Sequence, residues 1–154
     1  MKGSNEMKHV DIYTDGACKY NPGPGGFAAI LVYNGREKEV FGGEKSTTNN
    51  RMELLAAING LKMLREACEV TLYSDSKYLI DSVEKGWVYS WQKNGWRKAD
   101  KSPALNPDLW QELLGLLEKH TVNFVWVKGH NGHEYNERCD RLAVAGAEAA
   151  ADSD

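Results

Sequence analysis

Phe27-Ala-Ala-Ile-Leu-Val-Tyr-Asn-Gly-Arg-Glu-Lys-Glu-Val-Phe-Gly-Gly43 is the stretch whose reading decides the fold. Phe27 to Tyr33 is a short apolar run rich in strand formers, which reads as a buried strand. Asn34-Gly35 follows, the residue pair that best tolerates the positive φ angles of a type I′ turn. Glu37 to Gly43 then returns as the second arm of a hairpin. Upstream, His9 to Thr14 alternates and reads as another strand, ending at Asp15-Gly16-Ala17, where the chain is expected to turn. Asn21-Pro-Gly-Pro-Gly-Gly26 reads as a loop.

Downstream the period changes. Thr47-Thr-Asn-Asn50 offers N-caps for a helix whose apolar face is Met52, Leu55, Ala56, Ile58, Leu61 and Leu64. Val70 to Ser74 is a β-rich run, and Ser76 is placed to cap a helix from about Lys77 to Lys85. Trp87 to Lys101 is basic and aromatic, with no clear period. Pro107 suits the first turn of a helix ending near His120. Val122 to Val127 is a strand, Lys128 to Tyr135 a Gly- and His-containing loop, and Asn136 onward a last helix. Three strands followed by crossover helices imply an α/β domain with a mixed sheet.

At 154 residues the chain suits one domain, 1–154, with flexible ends at 1–7 and about 148–154. No run approaches the ~20 apolar residues of a membrane span. Met1 to Glu6 lacks an apolar signal region, and three cysteines without a C-x-x-C pair argue against a disulfide scaffold or zinc ribbon, so a cytoplasmic location is expected. No exposed apolar stripe stands out, and a monomer is the expectation. The net charge of −3 does not advertise a polyanion partner. Yet Lys85 to Lys101 holds five basic residues against one acid, so a basic patch survives in an acidic chain.

Asp15 and Asp75 each follow a strand, where α/β folds build sites. Glu53 falls in the first turns of the long helix and Asp140 in the first turns of the last one, where the helix dipole favours an ionised acid. Acids near helix starts are often only caps. Four of them at element ends, without matching cations, raise one another's pKa unless a divalent ion joins them. Oxygen ligands alone point to Mg²⁺ or Mn²⁺ rather than zinc. His130 and His133 form H-x-x-H, but no closed set of four ligands accompanies them.

The motifs Tyr13-Thr-Asp-Gly-Ala17, Thr47-Thr-Asn-Asn-Arg-Met-Glu53, Tyr73-Ser-Asp-Ser76, Val127-Lys-Gly-His130 and Asn136-Glu-Arg-Cys-Asp140 stand in an order that resembles bacterial ribonuclease HI, from about Lys8 to Ala147. The resemblance implies an RNase H-like fold, a five-stranded mixed sheet with the first three strands antiparallel and the rest parallel. It implies cleavage of the RNA strand of RNA–DNA hybrids, leaving 5′-phosphate and 3′-hydroxyl ends, with roles in removing primers and hybrids during replication and repair. By the motif match, Asp15, Glu53, Asp75 and Asp140 resemble the family's metal-binding carboxylates, holding two Mg²⁺ ions with substrate, for which Mn²⁺ substitutes. His130 resembles its mobile histidine, a proton shuttle or an aid to product release with Gly129 and Gly132 to move on. His133 matches too, with no role assigned.

The same resemblance implies how the hybrid is gripped. Gly16, Cys18, Asn21, Asn49 and Asn50 face the RNA strand, whose 2′-hydroxyl distinguishes it from DNA. Glu53 can touch that hydroxyl as well as metal, and helix capping by Asn49 or Asn50 is compatible with binding. Trp87, Lys93, Arg97 and Lys98 belong to a basic protrusion on the DNA strand, with Trp91 in the DNA channel, although Trp87 and Trp96 also suit a satellite core. Thr48 and Asn106, with Arg51, are candidates for a DNA phosphate pocket.

Two departures stand out. Lys77 replaces a glutamine of the best-known members, a point charge in place of an amide. Gln92-Lys93-Asn94 occupies a run that is often all basic, so weaker and less salt-tolerant binding is expected. Two other classes compete: another nuclease of the same superfamily, such as a transposase or junction resolvase, and a non-catalytic hybrid-binding domain. The Thr47–Glu53 block with the tryptophan-rich segment speaks against the first, and the complete set of acids against the second.

Overall fold

The computed structural model describes residues 7–128 and 134–153. His130 and His133 lie outside them. The element order is β1 (Lys8–Cys18), β2 (Gly23–Tyr33), β3 (Arg36–Thr47), α1 (Asn49–Lys62), β4 (Cys68–Ser74), α2 (Lys77–Glu84), α3 (Trp87–Lys93), α4 (Pro107–Lys119), β5 (Thr121–Trp126) and α5 (Glu134–Ala151). The strands form one five-stranded sheet in the order β3-β2-β1-β4-β5. β1, β2 and β3 pair antiparallel, and β4 and β5 join β1 in parallel. The expected mixed sheet is therefore present.

Asn34 and Gly35 turn the β2–β3 hairpin with φ of 51° and 78°, and Tyr33 pairs with Arg36 across them. The expectation upstream is corrected. β1 does not turn at Asp15-Gly16-Ala17 but runs to Cys18, opposite Gly25, and Gly23 to Gly26 are strand rather than loop. Local propensity misleads here because long-range packing decides. A Cβ on Gly26 would collide with the Ala143 carbonyl and the Ala147 amide of α5. Only bare backbone lets α5 lie so close, and the glycines are strand because the helix seats on them.

α1 and α4 cover one face of the sheet, and α5 packs on β1, β2 and β3. The main core joins Ile12, Leu31, Val70 and Leu72 of the sheet to Leu54, Ile58 and Leu61 of α1 and Trp110 and Leu113 of α4. Trp110 is fully buried, and its indole N–H donates to the Tyr78 hydroxyl at 2.8 Å, which removes the penalty of a buried donor. α1 lies between the sheet and α4, so Met52, Leu54, Ala56, Ala57, Ile58 and Leu61 are all buried. That is wider than a one-sided apolar stripe.

A smaller cluster of Tyr13, Ile30 and Cys139 lies under α5, with Tyr13 stacked between Tyr73 and Tyr135. The start of α5 is clamped to β3: Arg138 bonds Glu37 at 2.8 Å and Glu39 at 2.7 Å, and the Tyr135 hydroxyl donates to Glu37 at 2.8 Å. Counted from Glu134, Asp140 falls in the second turn of α5, among the first turns of that helix as expected.

Trp87 to Lys101 resolves into the short helix α3 and a turn-rich segment bridged at Arg97 and Pro103. Of its tryptophans, Trp91 and Trp96 pack against the core, while Trp87 stays 44% exposed. No helix among the described residues is long and apolar enough to cross a membrane.

Candidate active site

The pairing of β1 with β4 ends at Tyr13 and Tyr73, yet β1 continues against β2. β4 stops at Ser74, and the sheet opens a crevice beside Asp15 just where Asp75 leaves the neighbouring strand. The Thr14 hydroxyl, donating to the Tyr73 carbonyl at 2.9 Å, holds this point closed below the crevice. α1 brings Glu53 in from above. Its N-terminus is capped by Thr48, whose hydroxyl accepts from the Arg51 amide at 3.3 Å.

Asp15, Glu53 and Asp75 each present a carboxylate oxygen within 4.8 Å of the others. Asp15 and Glu53 are buried, and Asp75 is half-buried. The Gly16 amide donates to one Asp15 oxygen at 2.9 Å. The other, Oδ2, and Oε1 of Glu53 are buried without a hydrogen-bond partner. Burial, then the charges of Asp75 and Asp140, pushes the Asp15 carboxyl up to about 8. Burial, then Asp15 and Asp75, raises Glu53 well above the usual carboxylate range. A buried cluster of this kind is unfavourable as bare anions and is relieved by a cation.

Asp140 lines the same open cavity of about 400 Å³, with Asp15, Glu53 and Asp75. Its charge acts on Asp15, but it stands outside the tight group of three. Gly16, Asn49, Asn50 and Lys77 line the cavity too, as do Ser76 and Tyr78, which sequence reasoning did not assign to the site. Ser76 was legible only as a cap, and it does cap α2, its hydroxyl accepting from the Leu79 amide at 3.0 Å. Tyr78 carried no sequence signal, being one aromatic residue among several on a helix.

The other candidates sit around this cavity or apart from it. Asn21 accepts from the Asn49 amide at 3.1 Å and so ties the 19–22 turn to the start of α1. The Cys18 thiol faces the carbonyls of Tyr20, Gly23 and Thr47. Asn106 precedes α4 with a φ of 62°, and its amide does not cap the helix but is engaged at both ends, accepting from Arg51 and donating to Tyr78. Arg51 also grips Asp108 through two bonds of 3.2 and 2.9 Å. Lys93, Arg97 and Lys98 are exposed, and Trp91 meets Trp110 edge-on.

A family model described as RNase H matches residues 7–148. A ribonuclease H of Caldanaerobacter subterraneus subsp. tengcongensis is 59% identical over 144 residues, covering 94% of this chain and 93% of its own. Among solved structures, LC9-RNase H1, a type 1 RNase H with the type 2 active-site motif, is 31% identical with a TM-score of 0.82, over 93% of this chain and 74% of that one. LC11-RNase H1, solved in complex with RNA/DNA hybrid, shares the fold at 22% identity and a TM-score of 0.67, over 92% of this chain and 98% of that one.

Proposed function

This chain belongs to the ribonuclease H family and is a ribonuclease H enzyme, and from that premise we propose that it hydrolyses the RNA strand of RNA–DNA hybrids with the help of Mg²⁺ at the carboxylate cavity. Hybrid cleavage is the general activity of the family, and one structural neighbour holds such a hybrid. The observation that carries the metal reading is the donor set itself: three carboxylates within 4.8 Å of one another, two of them with buried oxygens that no hydrogen bond satisfies. Hard oxygen donors fit Mg²⁺, with Mn²⁺ as a substitute.

In this reading Asp15, Glu53 and Asp75 would hold the metal, with Asp140 of the same cavity as a further ligand. Bound there, Mg²⁺ would supply an activated water and charge stabilisation of the phosphodiester's leaving oxygen. The chain's own groups do the rest. Gly16 fixes the Asp15 carboxylate through its amide. Asn49, Asn50 and Lys77 on the cavity wall, with Asn21 and Cys18 beside them, meet the RNA strand and its 2′-hydroxyls. Trp87, Trp91, Lys93, Arg97, Lys98, Thr48 and Asn106 hold the DNA strand. His130 moves a proton or frees the product. The products carry 5′-phosphate and 3′-hydroxyl ends, and the enzyme works as a single-domain monomer in the cytoplasm on primers and stray hybrids.

The test is to incubate the protein with end-labelled RNA–DNA hybrid, duplex DNA and duplex RNA, in Mg²⁺ or in EDTA. Cleavage of the hybrid's RNA alone, stopped by EDTA, is the expected result. Binding of the hybrid without cleavage, or equal cleavage of duplex DNA, would overturn it.

A further inference from the structure

Lys77 opens α2 and is exposed, yet its ammonium lies 4.3 Å from the centre of the Trp126 ring, inside the ~6 Å reach of a cation–π contact. Among the described residues Lys77 makes no ion pair, although it shares the cavity wall with four acids. Trp126 is itself well anchored. It ends β5 opposite Ser74, the Val127 amide donates to the Ser74 carbonyl at 2.9 Å, and the indole N–H reaches the Asp75 carbonyl at 3.4 Å. The side chain is 42% exposed, so its place is not explained by the core.

We propose that Trp126 is a positioning residue that seats the Lys77 ammonium at the rim of the carboxylate cavity, ready to meet a phosphate of the hybrid. This rests on the function proposed above. A loose lysine beside four carboxylates would fold onto them, lost to substrate and competing with metal. Held on an aromatic face it keeps its charge, turns it toward the cavity mouth and needs no rearrangement to bind. A lysine gives a phosphate a point charge without the geometry of an amide, so its position must come from a neighbour.

The test compares the full chain with Trp126→Leu, Trp126→Phe, Lys77→Gln and the double variant Trp126→Leu/Lys77→Gln, measuring KM and kcat for hybrid cleavage across a salt series. Trp126→Leu should raise KM about 2- to 5-fold, with less effect on kcat. Trp126→Phe, which keeps a ring and loses the N–H, should restore most of the affinity. Lys77→Gln should lower the slope of log KM against log salt by about one, the loss of one phosphate contact. In the Lys77→Gln background, Trp126→Leu should add nothing. Thermal melting reports the fold of each variant, and Trp126→Thr replaces Trp126→Leu if the latter unfolds. An unchanged KM in Trp126→Leu, an equal rise in the Lys77→Gln background, or an unchanged salt slope in Lys77→Gln would overturn the proposal while the wild type still cleaves. A wild type that does not cleave hybrid at all would overturn the function first, and this role with it.

Discussion

Gly16 on β1 lies against the backbone of Glu53 on α1: a Cβ at Gly16 would stand 2.7 Å from the Glu53 amide nitrogen and 2.8 Å from the Met52 carbonyl carbon. The glycine after Asp15 is thus what lets the helix bring Glu53 within reach of Asp15. Gly16→Ala forces α1 outward, an overpacking cost of about 1–3 kcal/mol. It should lower the melting temperature by roughly 2–4 °C per kcal/mol and reduce kcat by misplacing Glu53. Melting curves and single-turnover cleavage check both. A variant with wild-type kcat would show that the close approach is dispensable.

Asp15 predicts an unusual pH dependence. Its folded-state pKa of about 8 lies above the ordinary carboxylate value, because burial and then the charges of Asp75 and Asp140 disfavour ionisation. Between those two values the folded metal-free protein keeps a proton that the unfolded chain has lost. That stabilisation is complete below about pH 4 and drains away as pH rises toward 8. Without metal, Asp15→Asn should therefore melt higher than wild type at pH 8, by a free energy on the order of 1–3 kcal/mol, and the gap should close as pH falls. The same variant should lose nearly all cleavage. Saturating Mg²⁺ should raise the wild-type melting temperature and spare the variant most of that rise. A variant less stable than wild type at pH 8 without metal would contradict the account.

Sequence reading reached the site's chemistry but not all of its support. The hairpin was legible because Asn34-Gly35 has few other uses, and α2 and α4 because Ser76 and Pro107 mark helix starts. Gly23 to Gly26 read as loop since nothing local shows that α5 will sit on Gly26. The acids Asp15, Glu53 and Asp75 were legible from their motifs. The depth of Glu53 was not, because α1 is covered by both the sheet and α4, and a one-sided stripe hides that. Trp126 and Lys77 are far apart in sequence, and only the parallel pairing of β4 with β5 brings them together.

Arg138 should matter through the helix it holds. It bonds Glu37 and Glu39 from the second turn of α5, and Asp140 follows two residues later. Arg138→Met keeps the side-chain bulk and removes the clamp. It should cost about 1 kcal/mol, toward the upper end for exposed ion pairs because two carboxylates share one guanidinium. Cleavage should slow as Asp140 loses its alignment, and the loss should exceed that of Lys62→Met, which breaks a single exposed pair with Glu112 of α4 at the end of α1 away from Glu53. Equal effects of the two substitutions on cleavage would separate the clamp from the site.

The most direct test of the central claim is the rate of RNA-strand cleavage in an RNA–DNA hybrid as Mg²⁺ is titrated, for wild type and Asp75→Asn. The wild-type rate should be absent in EDTA and rise to saturation with Mg²⁺, while Asp75→Asn should fall by roughly a hundredfold or more at every Mg²⁺ concentration. Cleavage that persists in EDTA, or an Asp75→Asn protein that matches wild type, would contradict a metal-dependent hybrid nuclease centred on these carboxylates.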